Sequence, residues 1–217
     1  KKTPLPDYNL KGIVQGHKDV PLNSCGREQA NSLGHELKKT PLHIFFSSDL
    51  ARAAETAELI LRHRAQQPPL HTLALLRERY MGKFEGQKMA ELEHLINSTD
   101  QQAAATSFMN WCDDLALREA DVESSEQFTE RARAAVTEVV RRVQAMRAQH
   151  PTTQPLNVAV VSHGGLIRAM LGWLLGCRYY SCIIRNASVV ARVRVALPTD
   201  PDFDPLILPE SAKVLSE

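Results

Sequence analysis

Three short apolar runs in the 217-residue chain each end on residues able to do chemistry. His43–Ser48 (HIFFSS) is followed by Asp49-Leu50-Ala51-Arg52. Leu70–Leu76 is followed by Arg77-Glu78-Arg79, and Asn157–Ser162 (NVAVVS) by His163-Gly164-Gly165. A histidine at a strand end with two glycines behind it lets a ligand come close to the backbone, and the N-terminus of the next helix favours an anion. Arg52 offers a planar fork for phosphate oxygens. Glu78, between two cations, offers a carboxylate that can take and return a proton. Together these residues describe a pocket for a phosphate group with an acid–base residue in it. Each also has an ordinary structural reading. Arg52 could be a solvated helix-face residue, Glu78 a member of a surface salt bridge, and His163 a capping or core histidine.

The elements that must position these residues alternate. Ser24–Lys39 reads as a helix with Asn23-Ser24 at its start and Ala30, Leu33 and Leu37 on one face. Asp49–Arg64 reads as a second, with Asp49 at its start and Arg62, His63 and Arg64 at its end, as the macrodipole prefers. Met89–Ile96 is a short amphipathic helix. A long helix runs from Glu123-Ser124 to about His150, with Phe128, Ala132, Val136, Val139, Val143 and Met146 at helical spacing, and Pro151 and Pro155 end it. Leu166–Leu175 is helical, and valine-rich Ser188–Leu197 is a strand. The tail from Pro198 carries Pro198, Pro201, Pro205 and Pro209 and is expected to be irregular. Short apolar strands between helices predict one α/β domain over residues 1–197, with a mostly parallel central sheet and helices on both faces, and a C-terminal tail over 198–217. In such a sheet, ligands bind beyond the carboxyl ends of the strands, where Arg52, Glu78 and His163 fall.

Composition narrows the partners. Lys plus Arg (26) nearly cancels Asp plus Glu (25), so a net charge of +1 gives no electrostatic case for nucleic acid or an anionic membrane. No apolar run approaches the roughly 20 residues of a membrane span, and the Lys1–Pro6 start does not read as a signal peptide. Cys25, Cys112, Cys177 and Cys182 contain no Cys-x-x-Cys pair, which argues against a zinc site. Free thiols in a reducing cytosol or nucleus are the expectation.

Several ordered strings resemble the histidine phosphatase superfamily, in its phosphoglycerate-mutase-like branch. They are Asp7-Tyr8-Asn9 with Gly12, Gln15-Gly16, Asp19, Pro21-Leu22, Gly26 and Gln29-Ala30; Ser47-Ser48-Asp49-Leu50-Ala51-Arg52-Ala53 with Thr56-Ala57; and Leu76-Arg77-Glu78-Arg79-Tyr80-Met81-Gly82 with Glu85-Gly86. Glu123-Ser124 with Arg131, Val161-Ser162-His163-Gly164-Gly165 with Arg168, and Asn186-Ala187-Ser188-Val189 complete the set. The Leu76–Gly82 string is more similar to fungal broad-specificity phosphatases and fructose-bisphosphatase-like members than to glycolytic mutases. The resemblance implies phosphomonoester hydrolysis through a phosphohistidine. It implies that His163 donates to the transferring phosphoryl group, Arg52 clamps it, Glu78 protonates the leaving oxygen, and Asn9 and Gly164 lie near the phosphate. It implies no metal or cofactor, since cationic side chains supply the charge, and a small phosphorylated metabolite or other phosphomonoester as substrate.

One departure is large. In the family, an apolar strand ending Arg-His-Gly-(Glu/Gln)-Thr stands just before the match to Asp7-Tyr8-Asn9 and lies beside the strand matching 157–162. Here Lys1-Lys2-Thr3-Pro4-Leu5-Pro6 occupies that place, and proline is excluded from central strands. The nucleophile therefore has no match. Arg62-His63-Arg64 is the one Arg-His pair and sits at a helix end; His17 is a loop residue near the expected pocket mouth. Strand and motif missing together point to a segment removed, or lying outside these residues, more than to drift, since a core needs its strand whatever happens to catalysis. The sheet is expected to be open beside Ala159, or the chain broken near Pro6. Two further readings stand beside hydrolysis: a pseudophosphatase that binds phosphate through Arg52, Glu78 and His163 without turnover, and a phosphoglycerate-type mutase. The modest segment between Gly86 and Glu123 favours hydrolysis over transfer.

Overall fold

The computed structural model of the chain describes residues 8, 11–92, 121–150 and 155–176, together with the backbone of Arg192–Arg194 and Lys213–Leu215. The order is α1 (Ser24–Leu37), β1 (Ile44–Ser48), α2 (Ala51–Leu61), β2 (Leu70–Leu73), α3 (Met89–Leu92), α4 (Ser125–Gln149), β3 (Val158–Val161), α5 (Gly164–Leu174), β4 (Arg192–Arg194) and β5 (Lys213–Leu215). The main sheet has the order β2-β1-β3, parallel throughout, with Phe45 in register with Leu70 on one side and with Ala159 on the other.

Side-chain alternation along β1 splits the core between the two faces of the sheet. Ile44 and Phe46 pack with Phe128, Ala132, Ala135 and Val143 of α4 and Leu166, Ala169 and Met170 of α5. Phe45 packs on the other face with Leu33 of α1 and Ile60 and Leu61 of α2. A strand buried on both faces reads as a continuous apolar run, as His43–Phe46 does. This is the α/β architecture expected, with helices on both faces.

Several boundaries move for identifiable reasons. Asn23 caps α1 as anticipated, its side chain accepting from Gly26 N at 2.7 Å. Asp49 does not open α2. The helix starts at Ala51 after Leu50, and the first-turn donor Ala51 N is satisfied by Asp19 Oδ1 at 2.7 Å, a cap supplied from 32 residues away. The second strand stops at Leu73 and Ala74–Leu76 is a 3₁₀ turn, so the approach to Glu78 bends. Ser124 and Gln127 form a reciprocal capping box at the head of α4. α5 begins at Gly164, two residues earlier than the apolar pattern shows, with His163 at its N-cap. The stretch 198–217, expected to be irregular, contains β5, which pairs antiparallel with β4.

Among the described residues β3 has a strand partner on the β1 side only. Val160 is 39 % exposed, whereas its register partner Phe46 is fully buried. The sheet is thus open beside Ala159 among those residues; residues 1–7 lie outside them.

Candidate active site

Parallel pairing puts the carboxyl ends of β1, β2 and β3 on one edge, and the side chains that follow them meet there. β1 ends on Ser47 and Ser48, both fully buried. The Ser47 hydroxyl donates to Ser48 O at 2.9 Å, and Ser48 Oγ accepts from Leu50 N at 3.3 Å and meets His163 Nε2 at 2.9 Å. One turn into α2, Arg52 reaches back across the site and donates to Lys18 O (3.0 Å) and Gly16 O (2.9 Å). These bonds fasten the Gly16–Asp19 loop to the head of α2 and, among the described residues, use two of the five guanidinium N–H groups.

Glu78 sits in an extended segment after the 3₁₀ turn. Its Oε2 accepts from Gly165 N and its Oε1 from Arg79 N, both at 2.9 Å. The α5 N-terminus thus already holds an anionic side chain where an incoming anion was expected. The close approach belongs to Gly165: a Cβ there would overlap the Glu78 carboxylate, whereas one on Gly164 would make only an ordinary contact with Arg168. The neighbouring arginines do not flank the Glu78 carboxylate as the sequence order implies. Arg77 pairs bidentately with Asp49 at 2.7 and 2.6 Å, while Arg79 turns to Glu123 O at 2.7 Å and Ser125 Oγ at 3.3 Å. In extended backbone, successive side chains leave on opposite sides, so adjacency in sequence does not make neighbours.

Four further residues build the site. Arg131 donates to Leu75 O, Arg77 O and Glu78 O and to both carboxylate oxygens of Glu123. Glu123 Oε2 also accepts from Tyr80 N at 3.0 Å. His17 Nε2 donates to Glu78 O at 2.8 Å, and its ring lies 5.1 Å from the Tyr80 ring. Glu85 Oε1 accepts from His17 N (2.7 Å) and Met81 N (3.1 Å) and lies against Gly16, whose positive φ of 52° suits glycine. His17, read as a mouth or surface residue, is therefore half-buried and tied to the backbone of Glu78. The Glu123–Arg131 signal was present as a family string; Ser48 and Glu85 gave no signal beyond their place in such strings.

Burial, then the nearby positive charge of Arg52, His17 and Arg131, pushes His163 well below the usual imidazole range, and Asp49 only partly offsets this. Burial also lowers His17. The Asp49 carboxyl is held down by the Arg77 hydrogen bonds. A histidine depressed in the fold binds fewer protons than in the unfolded chain, so its effect on stability is absent above the unfolded value near 6.5 and grows as pH falls below it. Stability is therefore expected to fall on acidification from about pH 7 to about pH 5, with a slope of up to about 1.4 kcal/mol per pH unit for each such histidine. Urea midpoints for the parent and for His163→Gln check this. Parallel pH curves would refute the assignment to His163.

Arg52, Glu78, His163 and Gly164 are thus at one edge of one sheet, while Asn9 lies outside the described residues. Among the described residues, no group of three or more His, Cys, Asp or Glu side chains could hold a metal ion. No described helix is long and apolar enough to cross a membrane.

The comparisons agree with this geometry. The family described as the histidine phosphatase superfamily (branch 1) matches residues 5–194. A broad-specificity phosphatase of Saccharomyces cerevisiae is 37 % identical over 188 residues, covering 84 % of this chain and 73 % of the yeast protein. A glucosyl-3-phosphoglycerate phosphatase of Mycolicibacterium vanbaalenii is 32 % identical over 170 residues, 78 % of this chain and 70 % of its own. Among solved structures, a phosphoglycerate mutase from Bacillus anthracis superposes with a TM-score of 0.64 at 29 % identity, covering 77 % of this chain and 74 % of that one. With a parallel three-stranded edge that gathers an arginine, a carboxylate and a buried histidine, and a family match over most of its length, the chain belongs to the histidine phosphatase superfamily, in the branch with the phosphoglycerate-mutase-like fold.

Proposed function

We propose that this site acts on phosphomonoesters, as a phosphatase, and that its catalytic domain spans about residues 1–197. The observation that carries this reading is the meeting of Arg52, Glu78 and His163 at the carboxyl edge of β1, β2 and β3. Phosphoryl transfer asks for positive charge around three equatorial oxygens and a group to move one proton, with little covalent machinery besides an in-line nucleophile. Arg52 and His163 supply donors to the phosphoryl oxygens. Glu78, fixed by two backbone N–H groups on the opposite wall, is the group placed to hand a proton to the leaving oxygen. Relatives named as phosphatases favour water over a second substrate as the acceptor of the phosphoryl group. A reducing compartment, cytosol or nucleus, fits the thiol of Cys25, which forms no disulfide.

A specific observation keeps a second reading, phosphate binding without turnover: the 217 residues contain no Arg-His-Gly string. Both readings require an anion at Arg52. Inorganic phosphate or vanadate is expected to bind the parent chain, and Arg52→Ala to weaken that binding about tenfold or more, the scale of a lost hydrogen bond to a charged group. Equal affinities by calorimetry would remove the pocket from consideration.

A further inference from the structure

We propose that Ser48 is a positioning residue for His163: its hydroxyl donates to Nε2 and fixes the neutral ring in the tautomer that carries its proton on Nδ1. Ser48 is fully buried at the end of β1, a strand buried along its whole length. A hydroxyl is costly there unless its donor and acceptor sides are both used. The acceptor side takes the N–H of Leu50 at 3.3 Å. The hydroxyl hydrogen then needs an acceptor, and among the described residues His163 Nε2, at 2.9 Å, is the one in place.

If Nε2 carried the proton instead, two N–H groups would point at Ser48 Oγ, and the hydroxyl hydrogen would be buried without a partner. The satisfied arrangement is Leu50 N–H to Oγ and Ser48 O–H to Nε2. It leaves Nδ1–H as the donor of His163, and Nδ1 has no hydrogen bond among the described residues. Parallel register makes this possible: Ser47 pairs with Val161, the last residue of β3, and the chain just beyond it brings His163 beside Ser48. Burial and nearby cations keep the ring neutral, so a tautomer exists to be chosen. His17 gives the opposite case by the same reasoning: its Nε2 faces the carbonyl of Glu78, which can only accept, so Nε2 bears the proton.

The use of the Nδ1 donor rests on the phosphatase reading; the tautomer itself does not. Long-range proton–nitrogen correlation spectra of the ¹⁵N-labelled chain at neutral pH report which ring nitrogen is protonated, with His163 and His17 assigned by the loss of their signals in His163→Gln and His17→Gln. The expected result is a protonated Nδ1 on His163 and a protonated Nε2 on His17. Ser48→Ala is expected to shift His163 toward the Nε2–H form, and Ser48→Thr, which keeps the hydroxyl, to restore the parental pattern. An Nε2–H signal on His163 in the parent overturns the proposal, as does an unchanged tautomer in Ser48→Ala. If Ser48→Ala does not fold, the parent spectrum decides alone. Added phosphate provides the separate arm: an Nδ1–H resonance that phosphate leaves unmoved supports the tautomer and counts against the phosphatase reading.

Discussion

Arg131→Met is expected to destabilise the fold by about 3 kcal/mol, the low end for breaking a buried ion pair, because the two partners keep 16 % and 12 % exposure. Methionine keeps the apolar stem that packs over Phe128, where the guanidinium lies 5.2 Å from the ring centroid, so the loss reads mainly the polar contacts. Removing Arg131 leaves the Glu123 carboxylate facing Tyr80 N alone and takes a donor from the carbonyls of Leu75, Arg77 and Glu78. Those carbonyls belong to the segment that aims Glu78 at the α5 N-terminus, so phosphate affinity is expected to fall with stability. Arg131→Lys is expected to rescue little, since one ammonium cannot present a fork to five oxygens. Denaturant midpoints for both variants check the result. A loss below about 1 kcal/mol for Arg131→Met, the scale of an exposed pair, would show that the network is not what holds the segment.

That network marks where sequence reasoning reached and where it stopped. Periodicity and apolar runs located α1, α2, α4 and three parallel strands, because each element buries one face or both and therefore carries a period. The rule that ligands bind beyond strand ends then singled out Arg52, Glu78 and His163. It could not foresee that Arg77 and Arg79 turn away from Glu78 to Asp49 and Glu123, because partner choice depends on which side of the extended segment each side chain leaves. Nor could it distinguish Gly164 from Gly165; that difference appears only when the Glu78 carboxylate lies against one of them. Ser48 reads as the tail of a strand, and its meaning comes from a histidine 115 residues later.

The 217-residue chain, incubated with a radiolabelled phosphomonoester, is expected to acquire no acid-labile, base-stable label. Among the described residues, the histidines nearest such a role, His163, His17, His63 and His43, are engaged or lie away from the site. His163 meets Ser48 through Nε2, the atom an in-line attack would need free if Ser48 donates to it. His17 spends Nε2 on the Glu78 carbonyl and lies against Tyr80. His63 belongs to the interface of α1 and α2, bonded to Asn31 Oδ1 at 3.1 Å and 5.1 Å from the His35 ring, away from the sheet edge. His43 accepts from Asn157 N through Nδ1, near the amino ends of β1 and β3. Among the described residues, the proposed clamp and proton-transfer group therefore stand without an attacking histidine. The complementary experiment joins an apolar strand ending Arg-His-Gly-Glu-Thr ahead of Asp7, to pair along the side of β3 that has no strand partner among the described residues. That chain is expected to take up the label and turn over the ester, and His163→Ala in it to reduce kcat about 10²-fold or more, the usual loss for a preorganised donor to developing charge. Label on the unmodified chain would show that it carries a nucleophile of its own. A folded, strand-completed chain that binds phosphate yet hydrolyses nothing would defeat the phosphatase reading and leave anion binding as the function of the pocket.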